Sequence, residues 1–320
     1  MDLLERVRAT GLLSAGAPVV VLLSGGRDSV CLLDVAVRLT GAEGVSALHV
    51  NYGLREAAGE DEAFCRALCV RLGVGLDVQA TARPSEAGNL QAWARDVRLG
   101  AGARLALARG ARLATGHTAT DQAETILYRL AASPGRRALL GMAERDGRLV
   151  RPLLRTTRLE TAEHCTARDL PWREDASNAD PRFARNRARA GLVPALRELH
   201  PSAERNVVRT AALLRDEAAV LDEVVRTALA GRDEIAVTRL AALPPALARL
   251  VVRQLAEDAA GRLCARAPGR LAEILELGDG ALDLGDGARA VVAGGVLHVE
   301  PTPPGRSSPA SPPAAPHPST

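Results

Sequence analysis

The chain contains no lysine, and all 41 of its basic residues are arginine. No side chain can therefore form a Schiff base or act as an amine nucleophile, which excludes several classes of enzyme. A Walker-type phosphate loop is excluded too, because that loop ends in Gly-Lys followed by Ser or Thr. Aromatic residues make up only 2% of the chain.

Cysteines are few, and none of them forms a Cys-x-x-Cys pair. The five are Cys31, Cys65, Cys69, Cys165 and Cys264. Disulfide scaffolding, a zinc site and an iron–sulfur cluster are therefore not expected. No apolar run approaches the length of about 18 residues that a membrane span needs, and the first residues lack an export segment. We expect a cytoplasmic protein with no membrane partner.

The most informative stretch is the apolar run Val19–Leu23, which is followed by Ser-Gly-Gly-Arg-Asp-Ser at positions 24–29. The run predicts a strand buried on both faces of a parallel sheet, and Asp28 and Ser29 open a predicted helix. Glycines and a helix N-terminus suit phosphate, whereas a carboxylate repels it unless a divalent cation lies between them. The alternative interpretation is an ordinary strand-turn-helix connection in which Asp28 and Ser29 only cap the helix. The serines and the aspartate around the glycines favour a phosphate site.

Predicted strands and helices then alternate along the first half of the chain. The strands are Val45–Val50, Val74–Ala80 and Arg112–Thr115, and the helices are Ala57–Leu72, Asn89–Arg109 and a segment from Thr118 or Thr120 to Ala131. This alternation predicts an α/β fold with a doubly wound, Rossmann-like parallel sheet. Ligands bind such sheets at the carboxyl ends of the strands. Polar residues end three of the strands, at Ser24–Ser29, His49–Arg55 and His117–Asp121.

Asp121 and Glu124 lie three residues apart, so the predicted helix places both carboxylates on one face of its first turn. Such acids often only stabilise the helix dipole. The alternative is that they hold a cation, either Mg²⁺ or the ammonium group of a substrate. The neighbouring nucleotide loop favours the cation.

Arginines are dense between Arg136 and Arg158 and again between Arg182 and Arg189, with Val150–Leu154 as a predicted strand among them. A solvated helix face would explain such a density. Trp172 and Phe183 flank the second cluster, and arginines beside stacking rings suit RNA, whose unstacked bases and phosphates are contacted together.

The character of the sequence changes after about residue 200. Helices are predicted over Ser202–Leu229, Pro245–Ala259 and Pro268–Leu277, and a short terminal β-hairpin or meander over Gly280–Glu300. We expect a catalytic domain at 1–200, a smaller, mainly helical substrate-docking domain at 201–300, and a disordered tail rich in Pro, Ser and Ala at 301–320.

Several stretches, in order, resemble the tRNA(Ile)-lysidine synthetase family of PP-loop ATP pyrophosphatases over about residues 19–200. The loop at 24–29 marks the superfamily. The more specific stretches are His49–Arg55, Asn89–Arg95, Gly116–Thr125, Arg151–Leu153, Glu174–Asn178 and Arg185–Arg189. The sequence departs from the family pattern at Tyr52, where a histidine is usual, at Leu99, and at Ser133–Gly135.

The resemblance implies adenylation of the C2 carbonyl oxygen of the wobble cytidine in an isoleucine tRNA with a CAU anticodon. The cofactors would be ATP and Mg²⁺, and free L-lysine would displace AMP to give lysidine. The implied residues are Ser24, Gly25, Gly26, Arg27, Asp28 and Ser29 for ATP; Asp28 for Mg²⁺; Asp28, Asp121 and Glu124 for catalysis; Asp121 and Glu124 for lysine; Arg95, Arg185, Asn186 and Arg189 for tRNA or phosphate; and His49, Arg55 and His117 as support.

Three other functions remain open at this stage. The first is tRNA thiolation on the same fold, which relies on cysteine pairs or catalytic cysteines. The second is amidation of a small metabolite, and the third is RNA or nucleotide binding without catalysis. The oligomeric state is open as well, with a homodimer as one alternative.

Overall fold

The computed structural model describes residues 2–53, 58–82, 90–132, 136–174 and 184–303. The chain divides into two compact units between Arg215 and Asp216. This division lies inside one continuous helix, Ala203–Leu229. The functional domain boundaries expected near residues 200 and 300 stay predictions.

The first unit is built on a six-stranded sheet. Its strands are β1 Val19–Leu22, β2 Val45–Asn51, β3 Gly75–Ala80, β4 Arg112–Ala114, β5 Arg145–Asp146 and β6 Leu149–Val150, in the order β3-β2-β1-β4-β6-β5. Every neighbouring pair is parallel except β5 with β6, which is antiparallel. The predicted doubly wound parallel sheet is therefore confirmed, and β1 lies inside it, between β2 and β4.

Helices cover both faces of this sheet. The helices up to the second unit are α1 Leu3–Ala9, α2 Arg27–Thr40, α3 Ala58–Leu72, α4 Leu90–Ala108, α5 Ala119–Ala132, α6 Arg136–Leu139, α7 Arg158–Ala167, α8 Ala184–Arg187, α9 Val193–Leu199 and α10 Ala203–Leu229, which continues into that unit, with a π-helical turn over Ala188–Leu192 between α8 and α9. Val19 and Val21 face a core that includes α2 and α7, whereas Val20 and Leu22 face another with α4. Because side chains alternate along a strand, an unbroken apolar run was needed for both cores.

One predicted strand is wrong in its extent. Val150–Leu154 was expected to be a strand, but β6 ends at Val150, and the amide of Leu154 donates to the carbonyl oxygen of Arg151 in a turn. Pro152 lacks the N–H group that a strand ladder requires, which explains the early end.

The second unit contains the C-terminal part of α10 and a small antiparallel sheet. Its further elements are β7 Glu234–Ala236, α11 Val237–Ala242, α12 Pro245–Ala260, a 3₁₀ turn Ala267–Arg270, α13 Leu271–Glu276, β8 Gly280–Gly285, β9 Ala288–Ala293 and β10 Val296–Pro301. The strand order is β7-β10-β9-β8. The predicted terminal β-structure is confirmed, and the short strand β7 enlarges it. Within the described part of the chain, no helix has the length and apolarity to cross a bilayer.

Candidate active site

The turn between β1 and α2 is closed by its own hydroxyl groups. The Ser29 hydroxyl donates to the carbonyl oxygen of Gly26 at 2.7 Å, and the hydroxyl oxygens of Ser24 and Ser29 lie 3.1 Å apart. Gly25 has φ of +81°, and a Cβ there would lie 3.2 Å from the Phe64 ring. Glycine is therefore required at this position, and the loop presents backbone at the start of α2, as an anion site demands.

Asp28, in the first turn of α2, is held by two side chains from α7. The Thr161 hydroxyl donates to one carboxylate oxygen at 2.6 Å, and Arg158 Nε donates to the other at 3.1 Å. Arg27 Nε lies farther away, at 3.4 Å. The carboxylate that follows the phosphate loop is thus fixed in direction and compensated in charge.

The sequence analysis did not predict Arg158 and Thr161 as parts of the site. Both belong to the first turn of α7, which begins after a capping box: Thr157 accepts from the amide of Glu160, and Glu160 accepts from the amide of Thr157. The Thr-x-x-Glu pattern at 157–160 indicates such a helix start. It would have placed the two residues on one face, three positions apart.

The N-termini of α2, α5 and α7 meet at this point. The amide of Arg158 donates to the Thr120 hydroxyl at 3.2 Å, which ties the start of α7 to that of α5. Gly116, just before α5, lies so close to α2 that a Cβ on it would be 2.9 Å from the carbonyl oxygen of Asp28. Strand β4 therefore delivers the Asp121 segment directly beside the phosphate loop.

We expect Gly116→Ala to lower the free energy of unfolding by about 1–3 kcal/mol, because the added methyl group meets rigid backbone. Gly100→Ala in α4 is the matched control, since its Cβ would make only ordinary contact, at 3.5 Å from Arg104. The control should be neutral or more stable by up to about 1 kcal/mol through helix propensity. Urea titration measures both, and equal effects would contradict the close approach at Gly116.

Asp121 lies in the first turn of α5 and bonds back to Thr118, the residue that precedes the helix. One oxygen of its carboxylate accepts from the amide and from the hydroxyl of Thr118, both at 2.8 Å. The other oxygen lies 3.6 Å from Arg189. Asp121 therefore lies where an acid stabilises the helix dipole, and the cation that it faces is the guanidinium group of Arg189. Binding of Mg²⁺ or of a substrate ammonium group stays a prediction.

Glu124 is fully buried and forms a two-bonded pair with Arg189. Arg189 Nε donates to one of its oxygens at 2.6 Å and Arg189 Nη2 donates to the other at 3.0 Å. Burial acts to lower the pKa of Arg189, but its bonds to Glu124 and the charges of Asp121 and Asp28 outweigh burial and raise the pKa. Arg189 therefore stays charged, and the three-residue cluster of Asp121, Glu124 and Arg189 carries a net charge of minus one when both acids are ionised.

The predicted supporting histidines lie near the ends of β2 and β4, the two strands that flank β1. Near the end of β2, His49 Nδ1 lies 2.9 Å from the carbonyl oxygen of Leu23, which joins that end to β1. After β4, His117 Nδ1 lies 2.8 Å from the Thr115 hydroxyl, and His117 Nε2 lies 3.5 Å from Arg95. Arg95, predicted to contact tRNA or phosphate, is thereby connected to the strand end that precedes α5.

The structure describes three further predicted residues only in part or not at all. Asn186 is buried in α8, and Arg185 belongs to the same helix, although its side chain lies outside the description. Arg55 lies outside the described residues altogether. The predicted contacts of these residues with tRNA or phosphate, and the expected support from Arg55, stay predictions.

The cysteines of α3 are buried and poor nucleophiles. Burial raises the pKa of Cys65 to about 12 and that of Cys69 to about 11. All five cysteines are free and buried. Since the thiolate is the reactive form, neither Cys65 nor Cys69 is prepared for covalent catalysis near neutral pH.

We expect iodoacetamide at pH 8 to leave Cys65 and Cys69 unmodified in the native protein. With pKa values of about 12 and 11, at most roughly one thiol in a thousand is ionised at that pH. Peptide mass spectrometry measures the extent of labelling, and the same protein in guanidinium chloride is the positive control. Rapid labelling of either residue in the native state would contradict the burial.

A magnesium ion fits Asp28 only if other groups supply most of its ligands. Among the residues that the structure describes, no group of three or more His, Cys, Asp or Glu side chains could hold a metal. A carboxylate has about four lone-pair positions, and the close donors Thr161 and Arg158 use two of them. Mg²⁺ commonly takes one or two carboxylates and completes its shell with water and phosphate oxygens, so Asp28 can be such a ligand.

Comparison with known proteins agrees with this architecture. A family model described as a PP-loop domain matches residues 6–196, which implies ATP binding. A U34-tRNA thiolase from Methanococcus maripaludis shares the fold, with a TM-score of 0.56 at 17% identity over 67% of this chain and 78% of the thiolase. At that identity the likeness concerns the fold alone.

Two curated relatives are much more similar in sequence. A tRNA(Ile)-lysidine synthase from Solibacter usitatus is 38% identical over 83% of this chain, and one from Symbiobacterium thermophilum is 39% identical over 92%. The chain spans 62% of the first relative's length and 68% of the second's. On the PP-loop match and on this identity, the chain belongs to the tRNA(Ile)-lysidine synthase family of PP-loop proteins.

Proposed function

We propose that this protein uses ATP to join lysine to the C2 position of the wobble cytidine in the CAU-anticodon isoleucine tRNA. AMP and pyrophosphate would be the other products. The observation that carries the proposal is the proximity of two unlike sites: a loop suited to phosphates at Ser24–Ser29, and a carboxylate cluster at Asp121 and Glu124. Gly116 and Arg158 join the two.

The phosphate loop would bind the β- and γ-phosphates of ATP through the amides of residues 24–29 and the hydroxyls of Ser24 and Ser29. Asp28 would hold a magnesium ion that neutralises the departing pyrophosphate. Arg158 and Thr161 support this role because they hold the carboxylate in one orientation and leave part of its lone pairs unused. The cytidine oxygen would attack the α-phosphorus, and pyrophosphate would leave.

The carboxylate cluster would bind the lysine substrate. Its net charge of minus one suits the ε-ammonium group, which would bring the cluster to neutrality. The amine must lose a proton before it attacks C2 of the adenylated cytidine, and Asp121 and Glu124 are the acceptors proposed for that proton. Arg189 would hold the Glu124 carboxylate in place through its two hydrogen bonds.

The tRNA would be contacted by Arg95, Arg185, Asn186 and Arg189, and its body by the unit that follows residue 215. Arginine forks bind phosphate in a fixed geometry, which supports the assignment to a backbone-contacting role. A homodimer is a separate proposal, which light scattering of the purified protein would test.

Thiolation of the tRNA is the second candidate, because a thiolase shares the fold. The raised pKa values of Cys65 and Cys69 argue against these two as sulfur-carrying nucleophiles, since both thiols lie buried in the core of the first unit.

Incorporation of radiolabelled lysine into a CAU-anticodon isoleucine tRNA transcript tests the proposal. We expect acid-precipitable label that requires ATP and Mg²⁺, together with equal amounts of AMP. Replacing the wobble cytidine with uridine is the control and should abolish incorporation. AMP release that depends on a sulfur donor and not on lysine would favour thiolation instead.

A further inference from the structure

A cavity of about 290 Å³ lies beside the phosphate loop, within the first unit of the chain. Four arginine side chains line it, each from a different helical segment: Arg27 from α2, Arg158 from α7, Arg189 from the π-helical turn and Arg197 from α9. Thr120 adds a hydroxyl group, and the other lining side chains are apolar. A wall of this kind offers hydrogen-bond donors almost exclusively.

Carboxylates hold three of these arginines without lining the cavity themselves. The pairs are Arg158 with Asp28 at 3.1 Å, Arg189 with Glu124 at 2.6 Å and Arg197 with Glu204 at 2.7 Å. Each acid fixes its guanidinium group in place. Arg158 and Arg197 keep further N–H groups of the planar five-donor fork for a ligand, whereas Arg189 uses Nε and Nη2 on Glu124 and faces Asp121 with Nη2.

The donors of the cavity are not all used within the protein. Arg189 Nη1 is buried and has no hydrogen-bond partner among the described residues. A buried guanidinium N–H without an acceptor is unfavourable, so native structures usually supply one as protein, water or ligand. Nη1 itself is shielded from solvent, so the donors open to an oxyanion in the cavity are those of the other arginines.

We propose that this four-arginine cavity is a second phosphoryl-binding subsite, separate from the Ser24–Ser29 loop. Of the loop residues only Arg27 lines the cavity, so the two sites share a single arginine. Its volume lies at the lower end of the range of about 300–1,000 Å³ for sites that enclose drug-sized ligands, which favours a phosphate or pyrophosphate group over a whole nucleotide. The phosphoryl group comes either from free inorganic pyrophosphate or from an RNA backbone.

Calorimetric titration with inorganic pyrophosphate tests the subsite, with the loop saturated by α,β-methylene-ATP. Neither lysine nor turnover is involved, so the result is independent of the proposed ligation. We expect the wild type to bind pyrophosphate and Arg197→Gln to weaken binding about tenfold, as for loss of a charge-assisted hydrogen bond. Arg27→Gln should weaken pyrophosphate binding by a similar factor. Because it leaves the pair of Arg197 with Glu204 intact, this variant serves if Arg197→Gln folds poorly.

Arg205→Gln is the matched control. Arg205 is exposed and pairs with Glu160 at 3.0 Å, so the same charge and a similar ion pair are lost away from the cavity. Less than about a twofold effect is expected there. A second arm measures an eight-nucleotide single-stranded RNA by fluorescence anisotropy.

The two arms separate the sources of the phosphoryl group. Weakened pyrophosphate binding in the cavity variants assigns the site to the free anion. Weakened RNA binding with a lower salt slope, and no pyrophosphate bound beside the filled loop, assigns it to the backbone. Equal binding of both ligands by wild type, Arg197→Gln and Arg27→Gln would overturn the proposal.

Discussion

Asp28→Asn is expected to lower pyrophosphate release at least about 100-fold, while affinity for the tRNA stays within about twofold. The carboxylate accepts from both Thr161 and Arg158, and the neutral amide of asparagine cannot accept from both through equivalent oxygens. It also loses the charge that would hold Mg²⁺ against the phosphates. The side chain keeps nearly the same shape, so the change isolates charge from packing. Pyrophosphate release with saturating ATP, and filter binding of the tRNA, give the two readouts.

Asp77→Asn is the matched control for this substitution. Asp77 lies on the edge strand β3 and pairs with Arg109 at 2.9 Å, so the control removes a carboxylate from an ion pair outside the candidate site. We expect unchanged pyrophosphate release, since exposed pairs contribute little, about 0–1 kcal/mol, to stability. Normal turnover by Asp28→Asn would remove Asp28 from the proposed mechanism.

Glu124→Gln is expected to reduce the lysine-dependent release of AMP at least about 100-fold, while lysine-independent pyrophosphate release continues. The cluster of Asp121, Glu124 and Arg189 would change from minus one to neutral, and the attraction for an ammonium group would fall. The variant should also lose about 3–5 kcal/mol of stability, because Arg189 keeps its charge beside a buried side chain that no longer compensates it. Assays at low temperature, at which the destabilised variant stays folded, separate the loss of lysine-dependent AMP release from the loss of stability.

The matched control for Glu124 is Glu144→Gln. Glu144 also accepts two bonds from one arginine, Arg155, but that arginine is largely exposed. The same chemical change there should cost less than about 1 kcal/mol and leave the dependence on lysine unchanged. A lysine dependence that survives in Glu124→Gln would show that the carboxylate cluster does not bind the substrate amine.

The sequence was sufficient for the parts of the site that depend on local spacing. An unbroken apolar run from Val19 requires burial on both faces, so β1 and its position inside the sheet could be predicted. The turn at 24–29 follows from its glycines and serines. The three-residue spacing of Asp121 and Glu124 likewise placed both acids on one face of α5, although only Asp121 lies in its first turn.

Contacts between distant segments could not be predicted in the same way. Arg158 and Thr161 reach Asp28 across 130 and 133 residues, and Arg189 reaches Glu124 across 65. Arg189 was predicted to contact RNA or phosphate, which stays a prediction, and its pairing with Glu124 beside Asp121 was not predicted. Only tertiary packing selects one arginine for this place, because the chain has 41 of them. The short strand β7 was also missed, since three residues carry too little periodicity.

Mass spectrometry of the nucleoside at the wobble position tests the central claim most directly. The full chain is incubated with ATP, Mg²⁺, lysine and a CAU-anticodon isoleucine tRNA transcript, and the digested anticodon loop is then analysed. We predict that the wobble cytidine is converted to lysidine only when lysine is present. An unmodified cytidine on a transcript that a curated lysidine synthase does modify would contradict the account.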